Sequence, residues 1–300
     1  MNRVPQITQN KKRGCKKNFL HPYLHTAEEN DIMNQKLKIL FIGDIMGRPG
    51  RDAVFAFLPE IRDKHNIDFV IANGENASGG LGMNRNGYEE LRRAGVDYFT
   101  MGNHTFSKRD IVSLMNEGEN IVRPANLPEG TPGTGMAIVT APCGVKIAII
   151  NLIGRVYLDE KNTSPFTAAD ELVMKAREKT SVVIIDFHAE ATSEKEALGC
   201  YLDGKVSAVL GTHTHIQTAD ERVFENGCAY ITDAGRTGVR DSVLGLDKNA
   251  AIARFTYAAN EKKPPFKVAR GKYMLCGVVL TIDAQSGKAE EIERICLSEK

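Results

Sequence analysis

The chain of 300 residues has no tryptophan, no C-x-x-C pair and no apolar run near the roughly 20 residues that span a bilayer. Its six cysteines (Cys15, Cys143, Cys200, Cys228, Cys276 and Cys296) are scattered. Cys228 and Cys276 border β-like runs and read as small core residues rather than ligands. With no apolar signal core at the start, the thiols read as reduced and the setting as cytoplasmic. Charge of one sign is also missing: 39 Lys and Arg face 38 Asp and Glu, a net of +1. Stable nucleic-acid binding by bulk electrostatics is therefore not expected, nor is a membrane-surface role. An acidic ligand would have to be gripped by a local site. No G-x-S-x-G signature is present, so no side-chain nucleophile of that type is on offer.

What is present is 42% hydrophobic residues, enough for one large domain. Residues 1–35 stand apart: polar, with five basic residues between Lys11 and Lys17, and without a sustained apolar period. They read as a disordered extension, with Met33 an alternative start, and residues 36–300 as a single domain. From Lys38 apolar runs alternate with amphipathic ones. Lys38–Asp44, Asp68–Gly74, Asp97–Asn103, Val145–Asn151, Val182–His188, Val206–Thr212 and Ala229–Gly235 read as buried strands, followed by β-rich runs at Ala251–Tyr257 and Cys276–Ile282. Arg51–Lys64, Asn86–Ala94, Lys108–Glu117, Ala168–Lys179 and Ser193–Leu202 read as helices. The class is α/β, with more strands than one sheet needs.

Polar residues fall at chosen places. Five of the apolar runs end in possible metal ligands: Asp44; Glu75 and Asn76; Asn103 and His104; His188; and His213 with His215. Loops converge at the C-terminal ends of strands in α/β sheets, so ligands gather there. Singly, each residue has an ordinary reading: Asp44 as a turn or cap, Gly74–Asn76 as a turn, Asn103 as an Asx cap, His188 as a half-buried histidine. Jointly, three imidazoles, two carboxylates and one or two amides suit Mn, Fe, Zn or Co rather than Ca. Six ligands exceed one tetrahedral zinc and match two ions about 3.5–4 Å apart. His213 and His215 share a side if strand geometry persists through them. His21, His25 and His65 read as ordinary surface or extension residues.

In order, Gly43–Ile45, Gly74–Asn76, Gly102–His104, His188 and Gly211–His215 resemble the signature of calcineurin-like metallophosphoesterases, usually D-x-H, G-D-x-x-D, G-N-H-[DE], H and G-H-x-H. The differences are specific. Met46 stands where the first histidine normally sits, Glu75 replaces the bridging aspartate, and Thr105 follows G-N-H. Together with Ala72–Asn84, Phe187–Gly199, Gly211–Asp220 and Ile231–Gly238, these differences resemble the YmdB-type branch, bacterial cyclic-nucleotide phosphodiesterases, from about Lys36 onward. Arg236 and Val239 depart from that branch, where a hydrophobic residue and a proline are the rule.

The resemblance implies a four-layer α-β-β-α sandwich of two mixed sheets flanked by helices. It implies one metal on Asp44, Asn76 and His215, another on Asn103, His188 and His213, and Glu75 between them, with Asn76 compensating for Met46. The ions expected are iron or manganese, with zinc or cobalt as alternatives. The reaction implied is hydrolysis of 2′,3′- and 3′,5′-cyclic nucleotides by a water that the metals activate, with His104 as general acid. Arg155 and Arg236 are candidates for substrate contact. The alternatives are a phosphomonoesterase, a metal-dependent amidohydrolase, and a regulator of RNA and biofilm physiology with weak catalysis. An amidohydrolase usually opens, rather than closes, with its H-x-H. A homo-oligomer is compatible with this type of enzyme, but the sequence marks no interface.

Overall fold

The computed structural model describes residue 1 and residues 35–159, 161–258 and 260–299. The expectations for the amino-terminal extension, including His21, His25 and Met33, fall outside the described residues.

Two sheets face each other. The first has the order β2 (Asp44–Ile45), β11 (Arg236–Val239), β12 (Tyr273–Asp283), β1 (Lys36–Ile42), β3 (Phe69–Asn73) and β4 (Tyr98–Thr100), with β13 (Ala289–Ser298) also paired to β12. The second has the order β5 (Met136–Thr140), β6 (Lys146–Ile153), β7 (Val182–His188), β8 (Ala208–Thr212), β10 (Ala229–Ile231) and β9 (Arg222–Val223). In the first, β1, β3 and β4 run parallel and β12 antiparallel to β1. In the second, β6, β7, β8 and β10 run parallel, flanked by antiparallel β5 and β9. Both sheets are therefore mixed.

Strands buried on both faces read as continuous apolar runs, and these do. Within β1, Leu37, Ile39 and Phe41 face Ile147, Ile149, Ile184 and Leu210 of the other sheet. The alternate residues Leu40 and Ile42 pack outward on Val54, Leu58 and Ile61 of α1 (Gly47–His65), and α2 (Arg85–Ala94) and α3 (Asp110–Asn116) cover the same side. The second sheet's outer face, with Ile150, Ile185 and Phe187, lies under α4 (Pro165–Arg177) and α5 (Thr192–Leu202). The four layers expected from the sequence are present.

One reading of the sequence is corrected. Ala251–Tyr257 is not a strand: α6 spans Lys248–Thr256, capped by the Asp247 side chain, which accepts from the Ala250 N–H at 3.0 Å. Ala251 alone is buried in it, so its branched and aromatic residues express no sheet packing. Strand β13, which no apolar run marks in the sequence, lies at a sheet margin and exposes Glu290, Glu291, Glu293 and Arg294. Among the described residues no helix is long and apolar enough to cross a membrane.

Candidate metal centre

The parallel strands deliver their C-terminal ends to one place. Asp44 follows β1, Glu75 and Asn76 follow β3, Asn103 and His104 follow β4, His188 ends β7, and His213 and His215 follow β8. The two sheets bring all of these residues together. Glycine makes the approach possible: a Cβ at Gly102 would overlap Glu75 Oε2 and the His188 ring, and one at Gly43 would overlap the Gly235 carbonyl.

Glu75 occupies the middle. Its Oε2 lies 3.3 Å from His188 Nε2 and accepts the His104 backbone N–H at 3.0 Å. Its Oε1 accepts from Asn76 Nδ2 at 2.9 Å. On one side, His188 Nε2 is 2.9 Å from Asn103 Oδ1 and 3.0 Å from His213 Nδ1. On the other, His215 Nε2 lies 3.1 Å from Asn76 Nδ2 and 3.8 Å from Asp44 Oδ1. Two sets, Glu75–His188–His213 and Asp44–Glu75–His215, each have donor atoms within 4.8 Å of one another, and Glu75 belongs to both.

Each imidazole is held by its other nitrogen. His188 Nδ1 is 2.9 Å from Thr212 Oγ1, whose own proton goes to Asp186 Oδ1 at 2.7 Å. The hydroxyl must therefore accept from His188, leaving Nε2 with a lone pair. His215 Nδ1 donates to the Leu244 carbonyl at 3.0 Å, and His213 Nε2 faces Glu190 Oε2 at 3.0 Å. All three rings thus turn a lone pair inward, the usual arrangement of histidine ligands. Two such lone pairs 3.0 Å apart, on His188 and His213, require a cation or a shared proton between them. Asp44 Oδ1 is buried without a hydrogen-bond partner, which is costly unless a cation faces it. The donor set fits transition-metal ions.

Without metal, these groups divide protons among themselves. Burial opposes charge on His188, but Glu75 and Asp44 outweigh it and raise its pKa to about 9. Burial and the His188 charge push His213 down to about 3. Burial would raise Glu75, yet His188 holds it at about 2. Burial keeps Asp44 above the usual carboxylate range against the pull of His215 and His188.

One geometric expectation fails. Strand β8 ends at Thr212, and His213 and His215 have φ of 99° and 66°, in the region that side chains avoid. A strained turn, rather than strand alternation, converges the two rings. Asp233 holds that turn: its Oδ2 accepts from Thr214 N at 2.9 Å, Thr214 Oγ1 at 2.7 Å and the buried Lys195 Nζ at 2.9 Å. Lys195 also donates to the Thr212 carbonyl at 2.7 Å.

A cavity of about 300 Å³ opens over the donors, with Glu75, His104, His213 and His215 on the polar side and Met46, Leu246 and Phe266 on the apolar side. A larger one, about 690 Å³, adjoins Gly79 and is lined by Arg48, Arg51 and Arg270, but holds none of these donors. Neither proposed substrate arginine reaches the 300 Å³ cavity. Arg155 is exposed on a loop whose backbone N–H donates to Glu194. Arg236 is buried, donating to the carbonyls of His215, Val239 and Arg240 at 3.2–3.3 Å. Sequence reasoning missed Glu190, Thr212, Asp186 and Lys195, which act through the histidines; only their nearness to His188 and the H-T-H segment could have pointed to them.

A family model described as YmdB-like protein matches residues 40–295. The chain belongs to the YmdB-like family. It is 49% identical over 263 residues to the 2′,3′-cyclic-nucleotide 2′-phosphodiesterase of Bacillus subtilis, covering 88% of this chain and 98% of that protein. Two solved structures share the fold. A hypothetical protein from Thermus thermophilus matches with a TM-score of 0.81 and 41% identity, over 88% of this chain and all of that one (100%). A Mycoplasma pneumoniae protein described as a novel phosphatase matches with a TM-score of 0.82 and 38% identity, over 89% and 95%. As a YmdB-like protein the chain carries Met46 and Glu75 inside the aligned region, where the wider superfamily signature has His and Asp.

Proposed function

We propose that this protein is a cytoplasmic phosphodiesterase that hydrolyses 2′,3′-cyclic nucleotides at a dinuclear metal site, with 3′,5′-cyclic nucleotides as further substrates. The observation that carries the reading is the inward lone pair of each of three tethered imidazoles around a carboxylate shared by two donor sets. The near full-length similarity to a 2′,3′-cyclic-nucleotide 2′-phosphodiesterase supports the substrate class. Asp44, Asn76 and His215 would hold one ion and Asn103, His188 and His213 the other, with Glu75 between. Iron or manganese ions, when bound, neutralise the non-bridging phosphate oxygens and supply an activated water.

The chain's own groups supply the rest. His104 lines the cavity with its backbone N–H donating to Glu75, which puts its ring within the space over the donors, and we assign it the protonation of the departing ribose oxygen. Asn103 Nδ2, 3.3 Å from His104 Nε2, restrains that ring. Met46, Leu246 and Phe266 give the nucleoside an apolar wall. Met46, buried against Gly80, Gly238 and Gly245, has a packing role in place of a ligand's; Asn76, whose Nδ2 donates to His215 in the metal-free chain, would turn its Oδ1 inward to take the ligand's place.

His104→Ala is expected to retain its metals while turnover of 2′,3′-cyclic AMP falls about 10²–10⁴-fold. Metal analysis and a panel of 2′,3′- and 3′,5′-cyclic nucleotides, bis-p-nitrophenyl phosphate and p-nitrophenyl phosphate test both points. Wild-type activity in the variant removes the acid role, and preference for the monoester removes the diesterase reading.

A further inference from the structure

Two thiols outside the metal centre face each other across a strand pair. Cys276 on β12 is directly opposite Cys296 on β13, and their sulfur atoms are 3.7 Å apart. Cys276 is buried and Cys296 is exposed. Directly opposed residues of an antiparallel pair project from one face with Cα atoms about 4.5–5.5 Å apart. A disulfide spans Cα separations of about 4.4–6.8 Å. Rotation of the two side chains therefore brings the sulfurs to bonding distance with the ladder intact.

The surroundings assign different roles to the two sulfurs. The Cys276 S–H donates to Cys296, and that hydrogen bond, against partial burial and with Arg240, Arg294 and Arg236 nearby, lowers the Cys296 thiol to about 6. The same bond and burial push Cys276 up. Arg236 Nε, buried and without a hydrogen-bond partner, is one of the positive charges available to a thiolate here. Cys296 is thus the exposed nucleophile and Cys276 the protonated thiol behind it.

We propose that Cys296 and Cys276 form a peroxide-oxidisable dithiol, with Cys296 attacked first and Cys276 closing a reversible disulfide. The Cys296 thiolate attacks one oxygen of hydrogen peroxide; an S–O bond forms, the O–O bond breaks, and the departing hydroxide takes up a proton as water. Sulfur is oxidised by two electrons to the sulfenic acid. Cys276 then loses its proton and attacks that sulfur; the S–S bond forms, the S–O bond breaks, and a second water leaves. The sum is two thiols and one peroxide giving one disulfide and two waters. An external dithiol such as dithiothreitol returns the pair by exchange.

The test uses the full chain, reduced and then exposed to hydrogen peroxide, with the thiols mapped by mass spectrometry of proteolytic peptides. The expected product is a linked Cys276–Cys296 peptide that disappears with dithiothreitol. Cys296 should be alkylated by iodoacetamide at pH 7 about threefold or more faster than exposed Cys200, because thiolate fraction outweighs the lower intrinsic nucleophilicity. Cys276→Ser should trap a dimedone-reactive sulfenic acid at Cys296, and Cys296→Ser should give neither product. If Cys276→Ser fails to fold, the linked wild-type peptide and the alkylation rates decide. Disulfides scattered among other cysteines, or a Cys296 no faster than Cys200, overturn the proposal.

Discussion

Thr212 offers a clean way to ask whether the tethering of His188 matters for metal binding. Its hydroxyl accepts from His188 Nδ1 at 2.9 Å and donates to Asp186 Oδ1 at 2.7 Å, in a region closed to solvent. Thr212→Val keeps the shape and deletes both bonds, together with a longer one that the hydroxyl accepts from Asn73 Nδ2 at 3.5 Å. Asp186 retains the Asn73 amide at 2.9 Å, so its loss is partial. The His188 N–H loses its acceptor altogether, and a buried orphan donor costs about 1–3 kcal/mol. That is the expected fall in unfolding free energy of the metal-free protein, read by urea titration. Metal affinity carries a separate penalty, because the ring's tautomer and orientation are no longer fixed. Loss of such a partner typically weakens binding about 10–100-fold, equivalent to about 1.4–2.8 kcal/mol. Competition between the protein and a chelating dye for Mn(II) measures it. Thr212→Ser, which keeps the hydroxyl, should restore affinity to within about twofold while remaining less stable by roughly 1 kcal/mol for the lost methyl. If Thr212→Val binds Mn(II) as tightly as the parent, the hydroxyl serves packing alone and does not set the inward lone pair of His188.

Two further outcomes follow from the same geometry. His188 is raised from its ordinary 6.5 to about 9, so its contribution to the stability of the metal-free protein is complete below about pH 6.5 and is lost as pH rises through 9. Metal must displace that proton, so calorimetry at pH 7.5 in buffers of different ionisation enthalpy should report proton release on Mn(II) binding; buffer-independent heats would refute it. Arg236→Met should lower the melting temperature, since the carbonyls of His215 and Arg240 lose their Arg236 donor at a cost of about 1–3 kcal/mol, while Val239 keeps the Ser242 hydroxyl. An unchanged melting temperature with a raised KM would return Arg236 to the role of substrate contact.

The part of this molecule legible in its sequence is the part written in periods and chain order. Runs such as Lys38–Asp44 and Val182–His188 are buried on both faces, so their apolar continuity marks strands directly, and the residue that ends each run lies at a strand terminus. Polar residues that end five such runs have to meet once the strands lie parallel, and Asp44, Glu75, Asn76, Asn103, His188, His213 and His215 do. Local pattern fails where packing or backbone strain decides. Ala251–Tyr257 carries strand-forming residues but is a surface helix, because an Asp247 cap and an alanine pair suffice when little of the segment is buried. The H-T-H segment reads as a strand continuation, yet both histidines adopt positive φ, a cost that only the Asp233–Lys195 network and the Leu244 carbonyl explain. Those stabilisers come from other segments of the chain, Leu244 being 29 residues from His215, so no short window around His213 could reveal them. Arg236 shows the converse: its charge suggested a substrate, but charge alone does not say whether a guanidinium faces a cavity or three carbonyls. Which nitrogen of each histidine points inward is likewise a property of the second neighbours. The chemistry proposed for the centre therefore depends on Thr212, Glu190 and Leu244 as much as on the ligands themselves.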